Sequence, residues 1–210
     1  MADILIDNQT VPTTPAASKS IIWVESTAKK LNQTDDSGVH HGIISCSYSA
    51  SGAASQTINA TETYVTSSGI LIPSYGMQVG MLFRWYFNMV KATFTGTAAP
   101  TYQIRMGSAQ TTSDTAILLL TGIAQTAVGG GGTVIVTAQV RTVAAGATGV
   151  IVGNFNAPNV TMGSGQITTA VSAGFANDSA GAGGKYLGIG ITPGTNTTYT
   201  CDGVRGELIA

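Results

Sequence analysis

Charged residues are scarce in this sequence. Asp, Glu, Lys and Arg together make up 9% of its 210 residues, against about 25% in ordinary globular domains. The formal net charge is -1, so nothing in the charge balance favours nucleic acid or an acidic membrane surface as a partner. The segment 142–177 contains no charged residue. Such a surface suits burial against another protein, and a solvated, Thr-rich β region is the alternative.

Cysteine and histidine are equally rare, with two of each. His40 and His41 are adjacent, and neighbours on a strand point to opposite faces, so the pair cannot jointly hold one metal ion without a bend. The N-terminus lacks the basic and then apolar segments of a secretory signal. We therefore expect Cys46 and Cys201 to be buried free thiols rather than a disulfide, although the sequence leaves the bridge open. We expect no metal.

Motifs for catalysis and nucleotide binding are also missing. The run SAGAGGKY resembles a phosphate-binding loop, but Ser179 stands where that motif has Gly, and Tyr186 follows Lys185 where it has Ser or Thr. In GIGITPG, Pro193 occupies the third Gly position of the dinucleotide pattern. Ser37 lacks the strand-turn-helix elbow of a nucleophile. The sequence therefore predicts that the protein is not an enzyme and has no cofactor.

The polar complement is mostly Thr, Ser, Asn and Gly rather than Lys and Glu, and Thr favours strands while Gly favours turns. About ten short strand candidates follow one another between Gly-rich turns, with no convincing amphipathic helix. In TYQIRMG, for example, Tyr102, Ile104 and Met106 alternate with Gln103 and Arg105. We predict an all-β fold, an antiparallel β-sandwich (jelly roll) of about 8–10 strands.

The first twenty residues differ from the rest of the chain. They contain two prolines and many small polar residues, and they show no strand periodicity. The predicted organisation is an extended N-terminal arm, residues 1–20, and a β-sandwich domain, residues 21–210. A disordered tail is the alternative for the first part. The large apolar side chains of the arm are predicted to make its contacts: Ile4, Leu5, Ile6 and Val11.

The run FRWYFNMVKATF carries aromatic residues on both faces of a predicted strand. Phe83, Trp85 and Phe87 share one face, and Tyr86 lies on the other. A strand that is apolar on both sides is covered on both sides. We therefore predict that Tyr86 and Met89 face away from the core and contact another subunit.

The same region resembles virion structural proteins of tailed bacteriophages. An aromatic-rich strand ends at Lys91-Ala92, a Gly-Thr-Ala-Ala-Pro loop follows over 96–100, and an alternating strand ends in Arg105-Met106-Gly107. A Ser-Asp-Thr-Ala turn over 113–116 leads into the next apolar strand. The resemblance covers the segment from Thr61 to Arg141 and is weaker outside it.

This resemblance implies a homotrimeric jelly roll located in the virion and made in the host bacterial cytoplasm. One placement is a capsid decoration (cement) protein, whose N-terminal arm binds the major capsid protein and stabilises the shell. The alternative is a tail-fibre or head-fibre knob that recognises a host surface polysaccharide. The short chain without stalk heptads favours decoration. The expected partners are further copies of the chain and the major capsid protein, with no nucleic acid and no membrane.

Overall fold

The fold is taken from a computed structural model. It describes residues 8–9, 21–25, 31–34, 40–42, 49–50, 55–59, 61–94, 99–123, 130–157, 165–171 and 174–209. Within these ranges every regular element is a β-strand, which confirms the all-β prediction. The same ranges hold no helix of the length and apolarity needed to cross a membrane. By packing, the chain divides into two units, Met1–Cys46 with Ala210, and Ser47–Ile209.

The first unit contains a four-stranded sheet. Its strands are β1 (Asn8–Gln9), β2 (Ile21–Glu25), β3 (Leu31–Thr34) and β4 (His40–Gly42), in that spatial order. β1 pairs with β2 in parallel, and the other pairs are antiparallel. The predicted arm contacts Ile4, Leu5, Ile6 and Val11 lie outside the described residues. The predicted boundary after residue 20 stays a prediction, while the packing units divide after Cys46.

The second unit consists of two antiparallel sheets. Its strands are β5 (Ser49–Ala50), β6 (Gln56–Asn59), β7 (Thr63–Tyr64), β8 (Ile70–Leu71), β9 (Leu82–Phe94), β10 (Thr101–Gly107), β11 (Thr115–Thr121), β12 (Gly131–Thr142), β13 (Val150–Ala157), β14 (Gly165–Val171), β15 (Tyr186–Thr192) and β16 (Thr197–Ile209). The seven-stranded sheet has the order β14-β13-β12-β9-β16-β5, and β6 also pairs with β16. The five-stranded sheet has the order β11-β10-β15-β7, and β8 also pairs with β15.

These two sheets pack face to face, which confirms the predicted antiparallel β-sandwich. Three of the strands, β5, β7 and β8, are two residues long. So short a pairing shows no period-2 pattern from which it could be predicted. The strand count therefore exceeds the expected range.

The core lies between the sheets and follows the period-2 alternation of the long strands. On β9, Phe83, Trp85 and Phe87 point inward and are buried. The Trp85 indole N–H donates a 2.7 Å hydrogen bond to the backbone oxygen of Ser68, so its polar atom is satisfied inside the core. From β10, the Tyr102 ring stacks on a ring from β13 at 4.5 Å between centroids.

Met89 belongs to this core. Its side chain is 0% exposed, because it continues the odd-numbered face of β9 that carries Phe83, Trp85 and Phe87. The predicted outward orientation of Met89, and with it a contact to another subunit, is wrong. Cys201 on β16 is also buried and is a free thiol, as expected, whereas Cys46 lies outside the described residues.

Candidate functional site

The outer face of the seven-stranded sheet carries a group of four interacting side chains, which we call the Tyr86 cluster: Arg84, Tyr86, Arg205 and Glu207. The inward alternation of β9 leaves its even-numbered residues on this outer face. Across the β9–β16 pairing, Tyr86 lies opposite Arg205, and Arg84 lies opposite Glu207. Two neighbouring strands thus bring the four side chains together.

A β-bulge on β16 turns two of these residues outward. Up to Cys201 the odd-numbered residues of β16 are buried, whereas from Val204 to Leu208 the even-numbered ones are. The register shifts between Asp202 and Arg205, where one extra residue is inserted. Gly203 has a φ of 59° there, a left-handed conformation that glycine adopts without steric cost. The bulge therefore exposes Arg205 and Glu207 instead of burying them.

One carboxylate holds the Tyr86 cluster together. Arg84 Nη1 donates to Tyr86 Oη at 2.9 Å and lies 3.3 Å from Glu207 Oε1. Tyr86 Oη donates to the same Oε1 at 3.0 Å. Arg205 Nη2 lies 3.7 Å from Glu207 Oε2. The Cζ atoms of Arg84 and Arg205 are each 5.9 Å from the centroid of the Tyr86 ring, within the range of cation–π attraction.

The cluster carries more positive than negative charge. The hydrogen bond to Tyr86 raises the pKa of the Arg84 guanidinium above its ordinary value, and Glu207 adds to this. The cluster contains two arginines and one glutamate, so one of the two positive charges is not offset within it. The Arg205 side chain is 55% exposed and that of Glu207 12% exposed. The positive group thus faces solvent while the negative one is largely covered.

Two shallow grooves meet at Tyr86. One has a volume of about 310 Å³ and is lined by Arg84, Tyr86, Ile135, Thr137, Asn154 and Asn156. The other has a volume of about 290 Å³ and is lined by Tyr86, Phe87, Asn88, Thr133, Gly203 and Arg205. Tyr86 forms part of both walls. The lining combines amides, hydroxyls and guanidinium groups with two apolar surfaces, the Tyr86 ring and Ile135.

The register aligns these side chains in rows across the sheet. Tyr86 lies opposite Arg205 on one side and Ile135 on the other, and Ile135 lies opposite Asn156. This row crosses the four strands β16, β9, β12 and β13. With strands about 4.8 Å apart, it is about 14 Å long. The surface is thus elongated across the strands.

A second arginine cluster lies on the outer face of the five-stranded sheet. Arg105 donates from Nε to Glu62 Oε1 at 2.6 Å and from Nη2 to Glu62 Oε2 at 2.5 Å. It also donates to Gln103 Oε1 at 2.8 Å and to the backbone oxygen of Asp114. The side chains of Arg105 and Glu62 are 11% and 17% exposed. The bidentate pair, whose Glu62 carboxylate raises the pKa of Arg105, occupies most donors of this guanidinium.

The structure places the predicted site residues as follows. Tyr86 faces outward as predicted, and its contact with another subunit stays a prediction. His40 and His41 lie on β4. The described residues contain no group of three or more His, Cys, Asp or Glu side chains able to hold a metal ion. Sequence reasoning missed that Arg84 joins the Tyr86 cluster, although its alternation with Phe83 and Trp85 was the available signal for its outward position.

The comparisons with known proteins identify no family for this chain. No family model matches the chain, and no curated protein matches it. A solved structure of an alginate lyase in complex with an alginate trisaccharide matches over 98% of both chains, at 11% sequence identity and a TM-score of 0.33. A match of this quality assigns no activity to the present chain.

The comparisons nevertheless correct two predictions. The sequence predicted a phage virion structural protein, either a capsid decoration protein or a fibre knob, and it predicted that the protein is not an enzyme. No comparison supports a virion role or the absence of an enzymatic activity. Neither prediction is kept. A run of strands and turns such as 83–122 is characteristic of a β fold, and one fold hosts many unrelated functions.

Proposed function

We propose that the outer face of the seven-stranded sheet binds an acidic polysaccharide, with the Tyr86 cluster at its centre. The observation that carries this proposal is the position of Tyr86, whose ring lies 5.9 Å from two guanidinium carbons and lines both grooves. An aromatic ring, cationic donors and an open groove are thereby combined at one point of the sheet.

The lining suits the two kinds of surface that a sugar presents. The Tyr86 ring and Ile135 offer apolar area to the C–H face of a sugar ring. Asn154 and Asn156 each carry an amide with both donors and an acceptor, and Thr137 adds a hydroxyl. A few polar groups placed around an apolar surface are the usual make-up of a small-molecule site.

The positive charge of the Tyr86 cluster favours acidic saccharides over neutral ones. The Arg205 side chain is 55% exposed and lies 3.7 Å from Glu207 Oε2, and its planar guanidinium carries five N–H donors. Guanidinium groups bind carboxylates through paired, charge-assisted hydrogen bonds. A uronic acid or another acidic sugar would therefore be favoured over a neutral one.

The length of the surface favours a polymer. The row through Tyr86 runs about 14 Å across four strands, well beyond the size of a single sugar ring. A chain laid across the strands would contact the Tyr86 cluster near one end and the asparagines of β13 further along.

The proposal is tested by isothermal titration calorimetry with polygalacturonate, and with dextran as the neutral polymer. Tyr86→Ala and Arg205→Ala should each weaken polygalacturonate binding about tenfold or more, as expected for aromatic and arginine contacts at the centre of an interface. Lys185→Ala is the matched control, because it removes one positive charge at the start of β15 in the other sheet. It should bind as the unchanged protein does.

Three results would contradict the proposal. They are absence of binding to polygalacturonate, equal affinity for dextran, and an equal loss of affinity in Lys185→Ala. Unfolding curves of the variants show whether each has kept its fold.

A further inference from the structure

We propose that a cavity beside the five-stranded sheet is a second and separate binding site, for a neutral, hydroxyl-rich ligand of one or two sugar rings. It is as open to solvent as the two grooves at Tyr86, and we call it the Ser67 cavity. It has a volume of about 540 Å³ and is lined by Glu62, Thr63, Tyr64, Thr66, Ser67, Gln110, Thr111 and Thr112. Ligand pockets typically have about 300 to 1,000 Å³.

The first wall is the segment that follows β7, and a side chain holds it in place. The amide of Gln56 donates to the backbone oxygen of Tyr64 at 2.8 Å and accepts from the backbone N–H of Thr66 at 2.9 Å. A turn then closes where the Ser68 N–H donates to the Val65 oxygen at 3.1 Å. The backbone on this side of the cavity is therefore fixed by its own hydrogen bonds.

The second wall is the turn between β10 and β11, and the Asp114 carboxylate organises it. This carboxylate accepts from the backbone N–H of Ala109 at 3.1 Å and from that of Gln110 at 2.8 Å. The Asp114 N–H donates to the Thr111 oxygen at 3.1 Å. Asp114 is buried, so these bonds are shielded from water.

Arg105 joins the two walls. Its guanidinium binds the Glu62 carboxylate on one side and the Asp114 backbone oxygen on the other. The width of the cavity is thus set before any ligand arrives. A preformed site avoids the ordering cost that a flexible one incurs on binding.

Two residues of the lining adopt a strained backbone conformation. Ser67 has a φ of 65° and Gln110 a φ of 54°. The left-handed region costs a non-glycine residue about 1 kcal/mol or more. Glycine would relieve that cost, yet both positions keep a polar side chain at the wall of the same cavity. Strain of this kind concentrates at binding sites.

The lining chemistry defines the ligand. It contributes the hydroxyls of Thr63, Thr66 and Ser67, those of Thr111 and Thr112, and the Gln110 amide. Among the described lining residues there is no lysine or arginine, and Arg105, which joins the two walls, is already bonded to Glu62 and to the Asp114 backbone. An anion is therefore less favoured here than a ligand with several hydroxyl groups, which finds both donors and acceptors.

The test is a titration of the full chain, followed by backbone amide NMR shifts, with methyl β-glucoside and cellobiose as probes. Saturable shifts are expected at residues 62–67 and 110–112, with a dissociation constant in the millimolar range. Thr66→Trp and Thr112→Trp place a large ring at exposed positions of the lining and should weaken binding at least about tenfold. Ala145→Trp, exposed in the loop after β12, is the matched control and should bind normally.

Methyl β-glucuronide should bind more weakly than the glucoside. The proposal is overturned if neither probe gives saturable shifts up to about 100 mM, if both tryptophan variants bind normally, or if the glucuronide binds more tightly. Tyr86→Ala should leave glucoside binding unchanged. A failure of this site is therefore distinguishable from a failure of the acidic polysaccharide site.

Discussion

Arg105 and Arg205 lie on the outer faces of the two sheets, and each is paired with a glutamate. Arg105 makes a bidentate pair with Glu62 and its side chain is 11% exposed, whereas Arg205 lies 3.7 Å from Glu207 and is 55% exposed. A covered guanidinium in a bidentate pair braces the fold, and one whose side chain is more than half exposed can be approached by a ligand. Geometry and exposure, rather than residue type, separate the two roles.

The residues of the neighbouring strands explain why the Arg105–Glu62 pair is covered and the Arg205–Glu207 pair is more exposed. Gly188 and Gly190 of β15 leave room for Tyr64 and Glu62 to lie directly on the sheet. Around Tyr86 the neighbours in register are Ile135 and Arg205, whose side chains fill that space instead. Side chains of neighbouring strands can thus pack directly on the backbone of a strand that has glycine at alternate positions.

The largest expected effect comes from removing each arginine in turn. Arg105→Ala leaves the nearly buried Glu62 carboxylate without its partner and should lower the free energy of unfolding by about 3 kcal/mol. Arg205→Ala leaves Glu207 bound to Arg84 and Tyr86 and should cost no more than about 0.5 kcal/mol. Urea unfolding of both variants measures the difference. Equal losses would remove the distinction between the two arginines.

A smaller effect on stability is expected from adding a methyl group under the Arg105–Glu62 pair. The Cβ of Gly190→Ala would overlap Glu62 Oε1 and displace the carboxylate from Arg105. We expect a loss of about 2 kcal/mol in the free energy of unfolding. In the double variant Gly190→Ala with Glu62→Ala the overlap is gone, so the two losses should be far from additive. Additive losses would show that Gly190 does not act through Glu62.

The smallest expected effect is a loss of stability at alkaline pH. Burial raises the pKa of Tyr64 from 10.0 to about 12, with a smaller contribution from Asp114. Because the folded-state pKa is the higher one, this stabilisation is intact below pH 10 and is lost as the pH rises toward 12. Between pH 8 and pH 11 the unchanged protein should lose at most about 1 kcal/mol more stability than Tyr64→Phe, because Tyr64 is half-buried and solvent screens part of the effect. Identical losses would mean that burial does not disfavour the charged form of Tyr64.

Much of the core was predictable because it depends on local alternation. The patterns of FRWYF and TYQIRMG correctly place Phe83, Trp85, Tyr102 and Ile104 inward. Met89 was misplaced when it was taken to break this alternation, which in fact continues along β9. The sandwich itself followed from the spacing of strands and turns.

The candidate sites were less predictable because they depend on pairings distant in sequence. Arg105 and Glu62 are 43 residues apart, and Arg84 and Glu207 are 123 apart. No local pattern specifies which strands become neighbours. The outward turn of Arg205 also requires the bulge, for which the Asp202-Gly203 dipeptide is only a weak signal.

The bulge at Gly203 changes which residues of β16 face the core. Before it the odd-numbered residues of β16 are buried in the core, and after it the even-numbered ones are. If the same residues continued as a regular strand without the bulge, the earlier alternation would persist and direct the charged groups of Arg205 and Glu207 into an apolar interior, where charges are costly. The accommodation of one extra residue as a bulge therefore decides which side chains at the end of this strand face the core and which face the solvent.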